Sequence, residues 1–347
     1  GASFDDEIMS VAYMDSNKLA YVGESLSFGL SSGPDMFIST IDGNLNSAPL
    51  TIYYRNGSVI PRKVLYTDDN NLFIAGTFIS GTSQGFVMKT DTQGNYLWGH
   101  LFGEGETRLW DAVELDDGSV VCVGKTDGYG AAADDLLFLK FAPGGSLLTS
   151  KIIGGSGIEE GWEVINSNDN KLVVVVQTSS YGNGGSDIGF LKLNDEGDFI
   201  NGYTYGGDNE DKWPSITAAH NSLGYAVSYE THSFGAESED IVVVRTDENG
   251  KSCCAEKIET IPVRDILVSL FNPGFSKTTR HFTESTHSIQ NAPTNFQNAQ
   301  LCVSPLHIIG PDTLYCVDTA TYTIEPPALT NLIWKIPENA TIINNLN

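Results

Sequence analysis

Short apolar runs separated by polar, glycine-rich turns recur along the first 259 residues of the chain. Between residues 110 and 153 the pattern predicts four strands, at about 110–115, 119–125, 135–141 and 146–153. Each is rich in Val, Leu, Ile or Phe. The 3.6-residue period of an amphipathic helix is not sustained anywhere in the sequence. The pattern therefore predicts an all-β fold.

These runs belong to an internal repeat, whose clearest element is an acid, an apolar run and a base, as in Asp135-Leu-Leu-Phe-Leu-Lys140. Its five copies begin at residues 35, 84, 135, 187 and 240, so the spacings are 49, 51, 52 and 53 residues. Trp110, Trp162 and Trp213 recur in the same register. Four antiparallel strands in about 50 residues make one propeller blade. We therefore predict a β-propeller over residues 1–259, with five blades visible.

Each repeated residue has a structural interpretation beside a functional one. We expect Trp110, Trp162 and Trp213 to pack between blades, and the alternative is a stacking platform for sugars. The repeated aspartates Asp135, Asp187 and Asp240 either cap the loop before the third strand or bind calcium in each blade. Asp134 and Glu239 are further candidate ligands in the same acidic, glycine-rich loops. Calcium is the one cofactor for which the sequence offers ligands.

Charge and composition exclude several function classes. The 44 acidic and 19 basic side chains give a net charge of −25, which argues against binding to a nucleic-acid backbone. No apolar run approaches the roughly 20 residues of a membrane-spanning helix. The N-terminal residues lack the basic and apolar regions of a signal peptide, so any such peptide would have been removed or would lie outside this chain.

The sequence contains no recognisable catalytic or zinc motif. The six histidines form no HExxH pair, and the chain has no P-loop and no Gly-x-Ser-x-Gly elbow. The five cysteines form no CxxC pair, and Cys122 lies in an apolar run that predicts a buried strand position. Either Cys253 or Cys254 could pair with Cys302, and we take Cys254 and Cys302 as the candidate structural pair.

The repeat resembles the propeller repeats of large secreted Bacteroidetes proteins, related to SBBP-type repeats. The likeness rests on the Trp-containing strand, the Gly154-Gly155 and Gly206-Gly207 junctions, the aspartate before an apolar strand, and the Asp-x-x-Gly turn. It covers residues 1–259 and is best between Gly154 and Gly250. Such proteins resemble cargo of the type IX secretion route, which implies a secreted or cell-surface location. The first residues align with Gly155 onward, so a preceding glycine, and with it a further blade, would lie upstream.

The remainder of the chain departs from the repeat. Residues 260–303 predict a degenerate sixth blade or an extended latch or linker. In the segment 304–347, Cys316 is followed 18 residues later by Trp334, which resembles two strands of an immunoglobulin-like sandwich. The closer resemblance is to PKD-like modules of the same secreted proteins. We therefore expect 304–347 to be the start of such a module.

Two function classes remain. The first is a non-catalytic structural or adhesive module of a large surface protein, used for attachment, gliding or contact with prey and surfaces. Its partners would be other copies or other modules of the same assembly. The second is a carbohydrate-binding or carbohydrate-cleaving propeller, whose acids and aromatics should lie outside the repeat register. The acids here mostly follow the repeat, so we expect no enzymatic activity and favour the first class.

Overall fold

The computed structural model describes residues 5–15, 17–44, 46–219, 224–234, 239–252, 255–280, 307–309 and 323–325. Among them there is no helix, and therefore none that would cross a membrane. The chain divides into two units, Gly1–Glu284 and Ser285–Asn347. The prediction of an all-β fold is confirmed for the described residues.

The first unit contains five successive antiparallel sheets, which we call blades 1 to 5. Blade 1 comprises β1 (Asp6–Met14), β2 (Lys18–Ser25), β3 (Asp35–Asp42) and β4 (Leu50–Tyr54). Blade 2 comprises β5 (Ser58–Tyr66), β6 (Leu72–Ser80), β7 (Thr82–Thr90) and β8 (Tyr96–Phe102). Blade 3 comprises β9 (Thr107–Glu114), β10 (Val120–Thr126), β11 (Asp135–Phe141) and β12 (Leu147–Ile153). Blade 4 comprises β13 (Glu159–Asn166), β14 (Leu172–Thr178), β15 (Asp187–Leu193) and β16 (Phe199–Tyr205). Blade 5 comprises β17 (Asp211–Ala218), β18 (Tyr225–Thr231) and β19 (Asp240–Thr246).

Neighbouring blades pack face to face because alternate residues of each strand point to opposite faces. In β14, Val174 and Val176 are buried against blade 3, whereas Val173 and Val175 are buried against blade 5. The same division forms one apolar cluster at each of the four junctions between successive blades. Among the described residues, blade 5 does not pack against blade 1 in this way. Successive four-stranded antiparallel sheets stacked in this manner are consistent with a β-propeller.

After blade 5 the chain runs back along the outer edges of the preceding blades. This return segment, residues 256–280, contains β20 (Glu256–Ile258), β21 (Val263–Asp265) and β22 (Ser276–Arg280). The three strands pair with the fourth strands of blades 4, 3 and 1, and Phe271 forms a bridge to Leu101 of blade 2. Residues 260–280 of the predicted sixth blade or latch thus lie along existing blade edges. The rest of that segment, 281–303, lies outside the described residues.

Blade 5 differs from the expected four-stranded unit. The strand that would follow β19, Glu256–Ile258, pairs with β16 of blade 4 instead. There Ile258 and Ile261 are 3% and 4% exposed within the apolar cluster between blades 3 and 4. If this strand paired with β19 instead, no following blade among the described residues would cover the two isoleucine side chains. The burial of these two side chains therefore favours the return path.

In the second unit the structure describes β23 (His307–Ile309) and β24 (Thr323–Glu325), which pair antiparallel. Cys316 and Trp334, which carry the predicted sandwich, lie outside the described residues. The PKD-like module therefore stays a prediction.

Candidate functional site

The first strand of every blade carries a β-bulge at the same place. The strand-pairing register skips Met9, Arg62, Trp110, Trp162 and the pair Trp213–Pro214. A bulge turns the extra side chain away from the regular alternation. The tryptophans found as a sequence repeat are therefore the bulge residues of blades 3, 4 and 5.

The bulge side chains of blades 2, 3 and 4 stack on one another. The rings of Trp110 and Trp162 are parallel to within 4° with centroids 5.1 Å apart, and the Arg62 guanidinium lies 4.9 Å from the Trp110 ring. Stacked aromatic and cation–π contacts stabilise packing between neighbouring elements. Trp213 is 56% exposed and has a φ of +52°. The sequence did not reveal Arg62, because blade 2 has an arginine at the position where blades 3 and 4 have the repeated tryptophan.

Acidic residues next to the bulges bind the backbone of the following blade. The Val164 amide donates to Asp111 Oδ2 at 3.0 Å, and the Ile216 amide donates to Glu163 Oε2 at 2.7 Å. Lys63 of blade 2 also pairs with Asp111 at 2.6 Å. These carboxylates therefore join blades and are already occupied by structural partners.

A second set of acids lies where the third strand of one blade meets the first strand of the next. Between blades 3 and 4, the carboxylates of Asp135 and Glu159 both face Gly154, where a Cβ atom would collide with Asp135 Oδ1 and stand 2.9 Å from Glu159 Oε2. Both acids are almost fully buried. Glu159 accepts hydrogen bonds from Thr178 Oγ1 at 2.7 Å and the Gly155 amide at 2.5 Å. Gly154, the first glycine of this Gly-Gly junction, therefore leaves the space that the two carboxylates need, and a larger residue would not fit there.

The junction between blades 4 and 5 repeats this arrangement with Asp187, Asp211 and Gly206. A Cβ atom at Gly206 would collide with Asp187 Oδ1 and stand 2.7 Å from Asp211 Oδ2. Asp211 Oδ2 accepts hydrogen bonds from the Gly207 amide at 3.0 Å and Ser233 Oγ at 2.9 Å. Asp211 is fully buried, and its other oxygen, Oδ1, has no hydrogen-bond partner among the described residues.

The earlier junctions lack such carboxylate pairs. Between blades 1 and 2, Asp35 accepts a hydrogen bond from Ser31 Oγ at 2.6 Å, and the next blade begins with Ser58 instead of an acid. In blade 3, Thr107 and Thr126 pair through their hydroxyls at 2.9 Å where blade 4 has Glu159 and Thr178. Paired buried carboxylates are therefore a property of the last two junctions, not of the repeat as a whole.

The predicted calcium candidates thus fall into different environments. Asp135 and Asp187 each meet a second carboxylate, whereas Asp240 is exposed at the start of β19. Asp134 forms an ion pair with Lys125 at 2.9 Å. The hypothesis that calcium binds in every blade has no support at Asp240. Among the described residues, no following blade supplies a second acid there. Sequence reasoning missed Glu159 and Asp211, whose signal was an acid five residues after each Gly-Gly start.

Glu239 belongs to a separate surface group. Ligand atoms of Glu230, His232 and Glu239 all lie within 4.8 Å of one another. His232 and Glu239 are exposed, and their ion-pair separation is 3.8 Å. This cluster shares no residue with the acid pairs at the Gly-Gly junctions.

The buried acids make stability depend on pH. Burial, together with the nearby carboxylates of Asp211 and Glu256, raises the pKa of Asp187 to about 7. The folded chain therefore holds this proton between about pH 4 and pH 7, where the unfolded chain has lost it. In the presence of a chelator, the contribution of Asp187 should make the free energy of unfolding fall as pH rises from about 4 to 7. Chemical denaturation from pH 5 to 8 should show this decline in the wild type and a shallower one in Asp187→Asn; equal slopes would contradict it.

The predicted disulfide is not among the described contacts. Cys253, Cys254 and Cys302 lie outside the described residues, and the pairing stays a prediction. Cys122 is a buried free thiol in β10.

The two end blades expose apolar side chains that inner blades bury. Ile188 and Phe190 of blade 4 are fully buried against blade 5, but the equivalent Ile241 and Val243 of blade 5 are 82% and 67% exposed. In blade 1, Val11 is 53% exposed, whereas the equivalent Val64 of blade 2 and Val164 of blade 4 are 1% and 2% exposed. On both end blades these side chains lack a neighbouring blade among the described residues.

No protein-family model matches the chain, and no curated protein matches it. The chain is similar to several solved structures. A protein of unknown function from Dyadobacter fermentans superposes with a TM-score of 0.51 at 12% identity, over 74% of this chain and 83% of that one. The Neurospora crassa Pan2 WD40 domain has a TM-score of 0.39 at 8% identity, over 74% of this chain and 62% of that one. A levansucrase variant from B. megaterium has a TM-score of 0.36 at 9% identity, over 76% of this chain and 85% of that one.

These similarities concern the fold alone. Fold alone does not determine function.

Proposed function

We propose that this chain is a non-catalytic structural or adhesive module of a large secreted cell-surface protein. Its end blades would pack against other copies or other modules of the same assembly. The resemblance of the repeat to secreted Bacteroidetes propeller repeats, cargo of the type IX route, supports the location. The net charge of −25 suits a partner other than nucleic acid.

The observation that carries this proposal is the uncovered face of blade 5. Positions that pair blade 4 with blade 5 are retained there as Ile241 and Val243, yet they face solvent. The outer edge of β19 also has no paired strand among the described residues. An apolar face beside an open strand edge is a surface that other β-sheets bind or extend.

The acids near the bulges favour this function over glycoside cleavage. Asp111 and Glu163 accept backbone hydrogen bonds from the next blade, so they serve the packing of blades. Carbohydrate binding is the second candidate, because the exposed indole of Trp213 offers a stacking surface. A propeller that cleaves glycans would need catalytic acids that are free of structural partners.

Self-association through blade 5 can be tested with Ile241→Lys combined with Val243→Lys. We expect the wild type to form larger species as concentration rises, and the variant to remain monomeric, since charge on this face opposes apolar packing. Light scattering after size-exclusion chromatography would measure mass, and electron microscopy would look for regular filaments or rings. Leu148→Lys, at a 54% exposed position of β12, is the matched control.

A wild type that stays monomeric at all concentrations, with no ordered particles, would contradict assembly between copies. Binding of glycans by that monomer, lost in Trp213→Ala, would then favour the second candidate.

A further inference from the structure

The return segment places opposite charges at equivalent positions of blades 3 and 4. Arg264 pairs with Ile152 of β12, and Glu256 pairs with Thr204 of β16, which is the equivalent residue 52 positions later. The segment therefore presents a guanidinium beside one carboxylate pair and a third carboxylate beside the other.

At the junction of blades 3 and 4 the guanidinium contacts one of the two acids directly. Arg264 Nη2 lies 3.4 Å from Asp135 Oδ2 and donates to the Gly130 carbonyl at 2.8 Å. A positive charge at this distance offsets the repulsion between two buried carboxylates. This junction thus carries its own counter-charge within the chain.

The junction of blades 4 and 5 has no such counter-charge. No Lys or Arg of the described residues forms an ion pair with Asp187, Asp211 or Glu256. Asp187 is 3% exposed and Asp211 is fully buried, with Oδ1 of Asp211 unpartnered. Buried carboxylates are stable when they are neutral, paired or bound to a metal ion.

We propose that a divalent cation, preferentially calcium, binds at the junction of blades 4 and 5 through the buried carboxylates of Asp187 and Asp211, with the exposed Glu256 held at the adjacent loop by Asn183. Calcium takes oxygen ligands from carboxylates, carbonyls and water in flexible geometry. The loop at Gly182 and Asn183 lies against both acids, because a Cβ at Gly182 would collide with Asp187 Oδ2 and the side-chain amide of Asn183 donates to Glu256. The cation would take the place that Arg264 fills one blade earlier. This site does not depend on the proposed assembly.

The sharpest test replaces the cation with a guanidinium, the positive group that Arg264 supplies at the junction of blades 3 and 4. In Glu256→Arg the new guanidinium would stand where Arg264 stands in blade 3. We expect wild-type protein stripped with chelator to gain about 3 °C in Tm with about 10 mM CaCl2, since extracellular calcium modules bind in the millimolar range. Glu256→Arg should have a higher Tm in chelator and gain little from calcium. Because Glu256 is exposed, this variant should fold.

Two further variants locate the response. Asp211→Asn should lose most of the calcium shift, whereas Glu230→Gln, in the exposed cluster with His232, should keep it. Isothermal titration with CaCl2 and MgCl2 on the full chain measures binding without relying on unfolding.

Several outcomes would overturn the proposal. They are no calcium shift in the wild type, an equal shift in Glu256→Arg, or a shift lost in Glu230→Gln and kept in Asp211→Asn. The last result would assign the cation to the exposed cluster. If Asp211→Asn fails to fold, Glu256→Arg alone decides between the outcomes.

Discussion

Replacing Ile258 and Ile261 together with aspartate is expected to lower the Tm of the full chain by more than about 10 °C. Both side chains are almost fully buried between blades 3 and 4, although they belong to the return segment that follows blade 5. Loss of two buried aliphatic side chains, with two carboxylates placed in an apolar cluster, costs roughly 6 kcal/mol. In a domain of this size that corresponds to a shift of at least about 2 °C per kcal/mol.

The matched control lies in the same segment. Leu267 is 95% exposed, so Leu267→Asp should leave Tm within about 1 °C of the wild type. Calorimetry and circular dichroism measure both variants. A small shift in the double variant would mean that the return segment contributes little to stability and that the blades are held by their own junctions alone.

The second prediction concerns the buried lysines that join successive blades. Lys140 of β11 is 3% exposed and reaches the β15–β16 turn of blade 4, where its Nζ lies 3.2 Å from Asp195 Oδ2 and 2.8 Å from Glu196 Oε1. These two acids raise the pKa of Lys140 despite its burial, which by itself lowers it. The ammonium therefore depends on the two acids of the next blade.

We expect an asymmetry between the two sides of this contact. Asp195→Asn with Glu196→Gln leaves a buried ammonium without a counter-charge and should cost about 3 kcal/mol of unfolding free energy. Lys140→Met removes the charge and keeps the apolar stem, so it should cost less than about 1.5 kcal/mol, since both acids are half exposed. Urea denaturation would measure both. A larger loss in Lys140→Met would show that the ion pair itself stabilises the junction.

The repeat made the strands readable in the sequence. The predicted strand 135–141 coincides with β11. The prediction 119–125 differs from β10 by one residue at each end, and 146–153 differs from β12 by one residue at its start. Turn glycines and apolar runs are local features, so they indicate the strands without knowledge of distant contacts. The strand predicted at 110–115 begins earlier, at Thr107, because that residue pairs with Thr126 across the sheet.

Other features depended on residues far apart in the chain. Sequence reasoning singled out Asp135 and Asp187, but it could not supply Glu159 and Asp211, which reach them only when blades stack. Nor could it show that Arg62 extends the tryptophan stack, because that contact joins the bulges of two blades.

The sequence alone therefore determined the fold class and the strands of blade 3, since these follow from alternation and turn residues within about ten positions. It also determined the period of the repeat, which follows from comparing copies 49 to 53 residues apart. Only the tertiary structure decided which carboxylates meet and which edge the return segment occupies. Arg264 and Glu256 differ in charge at equivalent positions, and their effect depends on acids about 45 to 130 residues away that packing brings together. Coulomb interactions and burial act through space, and for that reason the candidate cation junction could be identified only in the folded chain.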